Sequence, residues 1–471
     1  MKVVNFIALG LGLLALFLPM TFDIEGLSFA GQITLGIFLF AAIFWILEPV
    51  PIFATSMLVI FLQILLLSAQ GPLAQLMGGM EPDHWRADYE TADYTVFLNT
   101  LANPIIILFL GGFMLASGAV RYQLDRNLTR IILRPFGTRP VYIAMGLMLV
   151  TAFLSAFMSN TATTAMMMTV AIPIVGQMPE GDRFRTGLAL CIPFAANIGG
   201  IATPIGTPPN AVIIGALAAQ DIPIAFTDWM QLALPIVIVM LLFTWWLLMR
   251  LYPSTAREVK IDLSGAFQTS WKAIALYAVF AITVLLWVTE TLHGISSTVV
   301  AFFPIAALPA LRVIEKADIR NLPWEVLWLM AGGIALGVSM QNTGLAGWLI
   351  GLIAWDALGA IAILAVFGVV ALALSNFISN TVAATLLIPL AISLGAPGVL
   401  GPEFNLEITA VMIAVSCSMA MILPISTPPN AIAVSTGMIA TKDMAKSGIV
   451  IGFTGLVLAL LLSRLLWPIL L

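Results

Sequence analysis

Uninterrupted apolar runs near ~20 residues recur along this chain, each long enough to cross a bilayer as a helix. In hydrocarbon every backbone N–H and C=O must find its partner within the protein, which leaves helices and closed barrels as the spanning structures. Barrel strands alternate apolar and polar residues, and these runs do not. The expectation is an all-α polytopic membrane protein in a cell (inner or plasma) membrane. Composition agrees: 61% of the 471 residues are hydrophobic and 9% are charged, against about a quarter charged in soluble domains. The opening MKVVNFIALGLGLLALFLPM lacks a small-residue cleavage site and reads as a first span. Cys191 and Cys417 sit inside apolar segments and read as small core residues. His84 and His293 are isolated, so no zinc site is expected; no nucleic-acid partner is expected either.

Hydropathy places segments at 5–20, 30–47, 50–67, 98–120, 140–178, 187–219, 229–250, 273–289, 294–311, 324–341, 345–393, 408–440 and 447–468. Segments 140–178 and 345–393 are too long for one crossing. If each returns to its own side, the other eleven cross once. The linker 121–139 carries Arg121, Arg126, Arg130, Arg134 and Arg139 and is therefore expected in the cytoplasm. Alternation from there puts 17 of the 19 Lys and Arg inside and only Arg86 and Arg464 outside. The loop 68–96, with Glu81, Asp83, Asp88, Glu90 and Asp93, falls outside. The N-terminus is then cytoplasmic and the C-terminus outside.

Deep in this apolar sequence Ser-Asn-Thr occurs twice, at 159–161 and 379–381, 220 positions apart. TPIGTPPN at 203–210 and LPISTPPN at 423–430 repeat at the same offset, as do Ser155 and Ser375. Gly111-Gly112 and Gly332-Gly333 align at 221, and Trp45 with Glu48 and Trp287 with Glu290 at 242. The chain therefore divides into a first span and outer loop (1–29), a first repeat (30–250), a cytoplasmic linker (251–272) and a second repeat (273–471). Each repeat holds a hairpin-like segment (about 140–178 and 361–393) and a Pro-interrupted helix (187–219 and 408–440). The charge-derived topology runs segment 30–47 inward and its partner 273–289 outward. Inverted repeats with broken helices are a mark of secondary transporters, whose site lies between the repeats near the midplane.

One Ser-Asn-Thr alone is most simply a helix cap, and one Pro-Pro a kink. Both motifs, repeated with the same 46-residue spacing from Thr161 to Thr207 and from Thr381 to Thr427, point to function. Proline breaks a helix and leaves free carbonyls at one end and free N–H groups at the other. Carbonyls and Ser, Thr or Asn oxygens can coordinate Na⁺, and helix N-termini attract anions. The spans hold no Asp, Glu, Lys, Arg or His deep in the membrane. A proton relay needs one, so cation co-transport is the expected coupling. A membrane enzyme would need an acid, base or metal cluster there.

The paired SNT and TPPN tracts resemble those of the divalent anion/sodium symporter family, over about residues 30–468. The resemblance implies eleven spans, two re-entrant hairpins tipped by SNT, and a homodimer. It also implies elevator-type alternating access of a transport domain against a scaffold. Its implied function is Na⁺-coupled symport of C4-dicarboxylates such as succinate, malate and fumarate. The alternatives are a Na⁺-independent dicarboxylate exchanger and a sulfate-like inorganic anion carrier. Carried over by position, one Na⁺ site uses Ser155, Ser159, Asn160 and Gly206, and the other Ser375, Asn380 and Ser426. Substrate is expected to touch Asn160, Thr161, Thr207, Asn380, Thr381 and Thr427.

Overall fold

The computed structural model describes residues 3–77, 92–259, 267–352, 355, 358–395 and 404–471. Residues 78–91 of the acidic loop expected at 68–96 lie outside them, including Glu81, Asp83, His84, Arg86, Asp88 and Glu90. Regular structure in the described residues is helical, apart from one isolated bridge between Ser68 and Ala92. The first set of long helices is α1 (Val3–Phe17), α2 (Phe29–Leu47), α3 (Ile52–Leu67) and α4 (Pro104–Arg121). An amphipathic α5 (Leu124–Leu133) leads to α6 (Pro140–Phe157), α7 (Asn160–Gly176), α8 (Phe184–Gly200), α9 (Pro208–Ala218) and α10 (Phe226–Leu251). The second set comprises α11 (Trp271–Val288), α12 (Ser297–Ala310) and α13 (Trp324–Asn342). It continues with α14 (Ala360–Ser375), α15 (Asn380–Leu394), α16 (Leu406–Ser418), α17 (Pro428–Ser435) and α18 (Thr441–Leu465). Shorter turns are left unnumbered.

Among the described residues six stretches are long and apolar enough to cross a membrane: Phe29–Leu47, Tyr94–Arg121, Pro140–Phe157, Phe226–Leu251, Trp271–Val288 and Thr441–Leu465. Local chemistry sets the boundaries. Ser28 Oγ accepts the Gly31 N–H at 3.1 Å and starts α2. Asn103 Oδ1 accepts from Ile105 N, with Pro104 at the first helical position, and starts α4. The long apolar segment at 345–393 resolves into a short helix, Leu345–Gly351, followed by α14 and α15.

Two groups of helices emerge from the packing. In one, α2 packs on α1 and α3, α13 on α3, and α12 on α4 and α11. In the other, α8 packs on α6, α7 and α10, and α16 on α14, α15 and α18. The second group interlocks across the repeats, with α7 against α17 and α15 against α9.

Within it α6 and α7 form a hairpin. Trp245 near the end of α10 donates its indole N–H to Val141 O at the start of α6. Past the end of α7, Asp182 accepts from Thr255, just beyond α10. Both open ends thus lie at one end of α10, and the tip is Met158–Ser159. α14 and α15 do the same around α16: Gly368 faces Met412, Asn376 reaches Ile422, and Gly395 returns to Leu406. α10 and α18 run antiparallel, because Tyr252 OH reaches Asp443 while the Trp467 indole donates to Leu232 O.

Candidate functional site

Four helices end and four begin at the repeated polar tracts. α6 stops at Phe157 and α7 starts at Asn160; α14 stops at Ser375 and α15 starts at Asn380. α8 ends at Gly200 before α9 begins at Pro208, and α16 ends at Ser418 before α17 begins at Pro428. Each starting helix presents the positive end of its dipole, and each ending helix presents free carbonyls. The two prolines that open α9 and the two that open α17 carry no N–H. The backbone donors at these ends therefore come mainly from the starts of α7 and α15. No Asp, Glu, Lys, Arg or His occurs in 140–176, 186–218, 360–394 or 408–435. A positive potential built from dipoles suits an anion without a fixed cation.

In the first repeat, Ser155 donates to Ala196 O at 2.8 Å and also contacts Asn160 Oδ1. Thr203, in the break of the interrupted helix, donates to Ala156 O. Asn210 ties the break together, its amide reaching Thr203 O at 2.8 Å, Gly200 O at 3.1 Å and Ile201 O at 3.3 Å. Close approach demands glycine: a Cβ at Gly206 would collide with the Gly200 carbonyl oxygen, and one at Gly200 with the Asn160 amide.

The second repeat preserves part of this and alters the rest. Asn430 donates to Leu423 O at 3.0 Å, matching the Asn210–Thr203 bond. Asn376 stands where the first repeat has Ala156. Its Oδ1 accepts from Ile422 N at 2.9 Å, and the Ser426 hydroxyl lies 3.1 Å from both its O and Oδ1. Ser426 Oγ also accepts from Leu423 N at 3.0 Å. Asn197 of the first repeat crosses to the second, donating to Thr427 Oγ1 at 3.1 Å and Asn430 Oδ1 at 3.2 Å. Sequence reasoning passed over Asn197, Asn376, Thr203, Asn210 and Asn430 as site-building residues. The last two lie within the TPPN tracts, but Asn197 and Asn376 face Cys417 and Ala156 at the repeat offset.

The expected ligands fall into two environments. Ser159 and Thr161 line a cavity of about 610 Å³, with Ser117, Arg121, Asp318 and Asn321 on its far wall. Thr207, Thr381 and Thr427 are buried. Among the described residues Ser375 Oγ and Asn380 Oδ1 are buried without an oxygen or nitrogen partner, with the Cys417 thiol beside Ser375. Unpaired buried oxygens are costly on their own and suit a cation. Beside the cavity Arg121 pairs with Glu315 at 2.9 Å and with Asp318, and Lys272 lies 3.8 Å from Glu315. Among the described residues no three His, Cys, Asp or Glu form a metal cluster.

Helices that stop and restart around paired, uncharged polar tracts define a class, the polytopic membrane carrier. The chain belongs to the sodium:sulfate symporter family: the profile for the sodium:sulfate symporter transmembrane region matches residues 2–471. It is a transporter and not an enzyme. The sodium-dependent dicarboxylate transporter SdcS of Staphylococcus saprophyticus is 31% identical, over 95% of this chain and 88% of its own. SdcS of Staphylococcus aureus (strain USA300) is 30% identical, over 98% and 90%. Among solved structures, the Alcanivorax borkumensis YdaH transporter shares the fold with a TM-score of 0.55 at 13% identity, over 87% of this chain and 97% of its own.

Proposed function

We propose that the chain is a Na⁺-coupled symporter of C4-dicarboxylates working by elevator-type alternating access. The observation that carries this is the set of four helix starts and four helix ends at the SNT and TPPN tracts. Starts offer N–H groups and hydroxyls to carboxylates; ends offer carbonyls and side-chain oxygens to Na⁺. The names of the SdcS relatives point to the same substrate and ion.

In this reading the dianion is held by Asn160, Thr161, Thr207, Asn380, Thr381 and Thr427. Thr427 is already oriented for it: its oxygen accepts from Asn197 and from the Asn430 N–H, so its own hydrogen is free to donate. One Na⁺ sits with Ser155, Ser159, Asn160 and the Gly206 backbone. A second sits with Ser375, Asn380 and Ser426, where the unpaired Ser375 and Asn380 oxygens favour it. The Ser426 hydroxyl is committed to Asn376 and the Leu423 N–H, so Asn376 joins that site as its support. Substrate with its Na⁺ ions would present little net charge to the membrane.

The antiparallel α10 and α18 and the interlock of α7 with α17 and α15 with α9 support two inverted repeats. The hairpins are then re-entrant, the second helix group forms the transport domain, and the first forms the scaffold of a homodimer. The cavity at Ser159 and Thr161 is the open approach in this state, on the arginine-rich and hence cytoplasmic side. The test is uptake of labelled succinate by proteoliposomes. Uptake driven by an inward Na⁺ gradient supports symport; counterflow indifferent to Na⁺ means an exchanger; sulfate uptake without succinate uptake means an inorganic-anion carrier.

A further inference from the structure

The repeated pairs Trp45 with Glu48 and Trp287 with Glu290 take no part in the site. Their settings correspond: the Trp45 indole donates to Ile52 O at 3.3 Å and that of Trp287 to Ser297 O at 2.9 Å, each at the start of the next long helix. Their carboxylates do not behave alike. Glu290 accepts from Ser297 N at 3.0 Å and from Phe226 N at 2.9 Å, the first residues of α12 and α10. One carboxylate thus joins helices from the two packing groups, and Phe226 stacks on Trp287 with 5.1 Å between ring centroids. Glu48 is exposed, makes no side-chain hydrogen bond or ion pair among the described residues, and holds a left-handed backbone with φ 46°.

The helix that corresponds to α10 is α18. Each follows an interrupted helix and an extended alanine, Ala225 or Ala440, and carries aspartate at its third position, Asp228 or Asp443. Phe226 is buried with its N–H taken. Thr441 is exposed, and neither its N–H nor that of Lys442 has a partner among the described residues.

The two ends are distinct. α11 begins at Trp271, next to Lys272 beside the cavity, and ends at Val288 near Glu290, so its 18 residues separate Glu290 from the cavity by about 27 Å. Ser28 at the start of α2 meets Thr343 past the end of α13, whose other end adjoins the cavity. Glu48, at the far end of α2, is therefore on the cavity side. Thr441 is also there, beside the end of α10 opposite Phe226.

We propose that Glu290 and Glu48 are alternating positioning residues. Glu290 holds the start of α10 in the state seen here, and Glu48 takes up the start of α18 in the opposite state. The proposal rests on the alternating-access reading above. A helix start favours a carboxylate, and a charge-assisted bond to its N–H is strong. The hold reaches the site directly, since Trp229, one turn into α10, donates to Ile201 O in the break between α8 and α9 at 2.9 Å.

The test is the rate at which a cysteine at Ala165, on the cavity wall, reacts with an impermeant maleimide added from the cavity side of vesicles. Native Cys191 and Cys417 are buried and stay in place. Glu290→Gln, which sets an amide donor against a backbone donor, should slow labelling about three- to tenfold by depopulating this state. Adding Glu48→Gln, which weakens the opposite state, should return the rate to within about twofold of the parent. Glu290→Gln without effect, or a double variant as slow as the single, overturns the proposal; a merely misfolded variant would not be rescued. Succinate uptake in the same vesicles separates the two readings. A parent that transports while its variants fail this pattern sinks only the alternation, and a parent with neither Na⁺-driven uptake nor counterflow of succinate sinks the dicarboxylate-carrier reading with it.

Discussion

Asn197 and Thr427, 230 positions apart, are joined by a 3.1 Å hydrogen bond from amide to hydroxyl. This bond crosses the boundary between the repeats and fixes which way Thr427 can donate. Replacing Asn197 with Ala should raise the KM for the dianion roughly ten- to a hundredfold, the loss expected for about one hydrogen bond to a charged group. Thr427→Val should act similarly. Because one bond links them, uptake kinetics of the double variant should fall well short of the product of the two losses. Full multiplicativity would separate Asn197 from Thr427.

Ser375 is the clearest probe of Na⁺. Its hydroxyl has no oxygen or nitrogen partner among the described residues, so Ser375→Ala should cost the Na⁺-free protein almost nothing. A bound ion stabilises by its occupancy of the folded state, and that increment should shrink in the variant. Thermal unfolding at stepped NaCl, with KCl as control, checks this. An undiminished Na⁺-dependent rise in Tm would remove Ser375 from the site.

Gly206 and Ser426 are repeat partners that should not exchange equally. Gly206→Ser drives a Cβ into the Gly200 carbonyl and should lower folded yield and uptake sharply. Ser426→Gly should fold, since it removes only a hydroxyl held by Asn376 and Leu423, but should weaken Na⁺ dependence. Size-exclusion profiles beside uptake separate the two effects.

Asp182 ties the connection after α7 to the segment beyond α10. Burial pushes its pKa up, but hydrogen bonds from Thr255, Phe184 and Ala256 outweigh this and hold it below the usual 3.8. A pKa lower in the folded state stabilises above the unfolded value, and that stability is lost as pH falls through the folded one. Asp182→Asn should therefore lower Tm at pH 7, each charged hydrogen bond being worth about 1.5–3 kcal/mol. The gap from the parent should close below about pH 4. A gap unchanged at acid pH would refute the assignment.

Cysteines at Gly176, at the end of α7, and at Gly359, just before α14, meet nothing within 4 Å and should be tolerated. With inverted repeats they should label from opposite sides of the membrane. Labelling of both from one side would overturn that topology.

The apolar runs and the SNT and TPPN tracts made the helical fold and the four helix breaks legible before any coordinates. What stayed hidden was hidden for a reason. Repetition was the signal that lifted the tracts above ordinary capping chemistry, and Asn197 and Asn376 are not repeated. Asn197 sits in CIPFAANIGG, where nothing local distinguishes a bridging amide from a buried structural one. Segment ends moved for local reasons too: Asn103 and Pro104 start α4 six residues after the hydropathy rise at 98.

The absence of Asp, Glu, Lys, Arg and His from 140–176, 186–218, 360–394 and 408–435 has an electrical consequence. Within the proposed transport domain these segments carry no formal charge of their own through the field. In the proposed symport, the charge crossing at the site is then that of the cargo, the Na⁺ count minus the two charges of a dianion. With two ions the cycle is electroneutral; with three, one net charge crosses and each 100 mV contributes about 2.3 kcal/mol. A voltage-clamped bilayer would count the ions without resolving them.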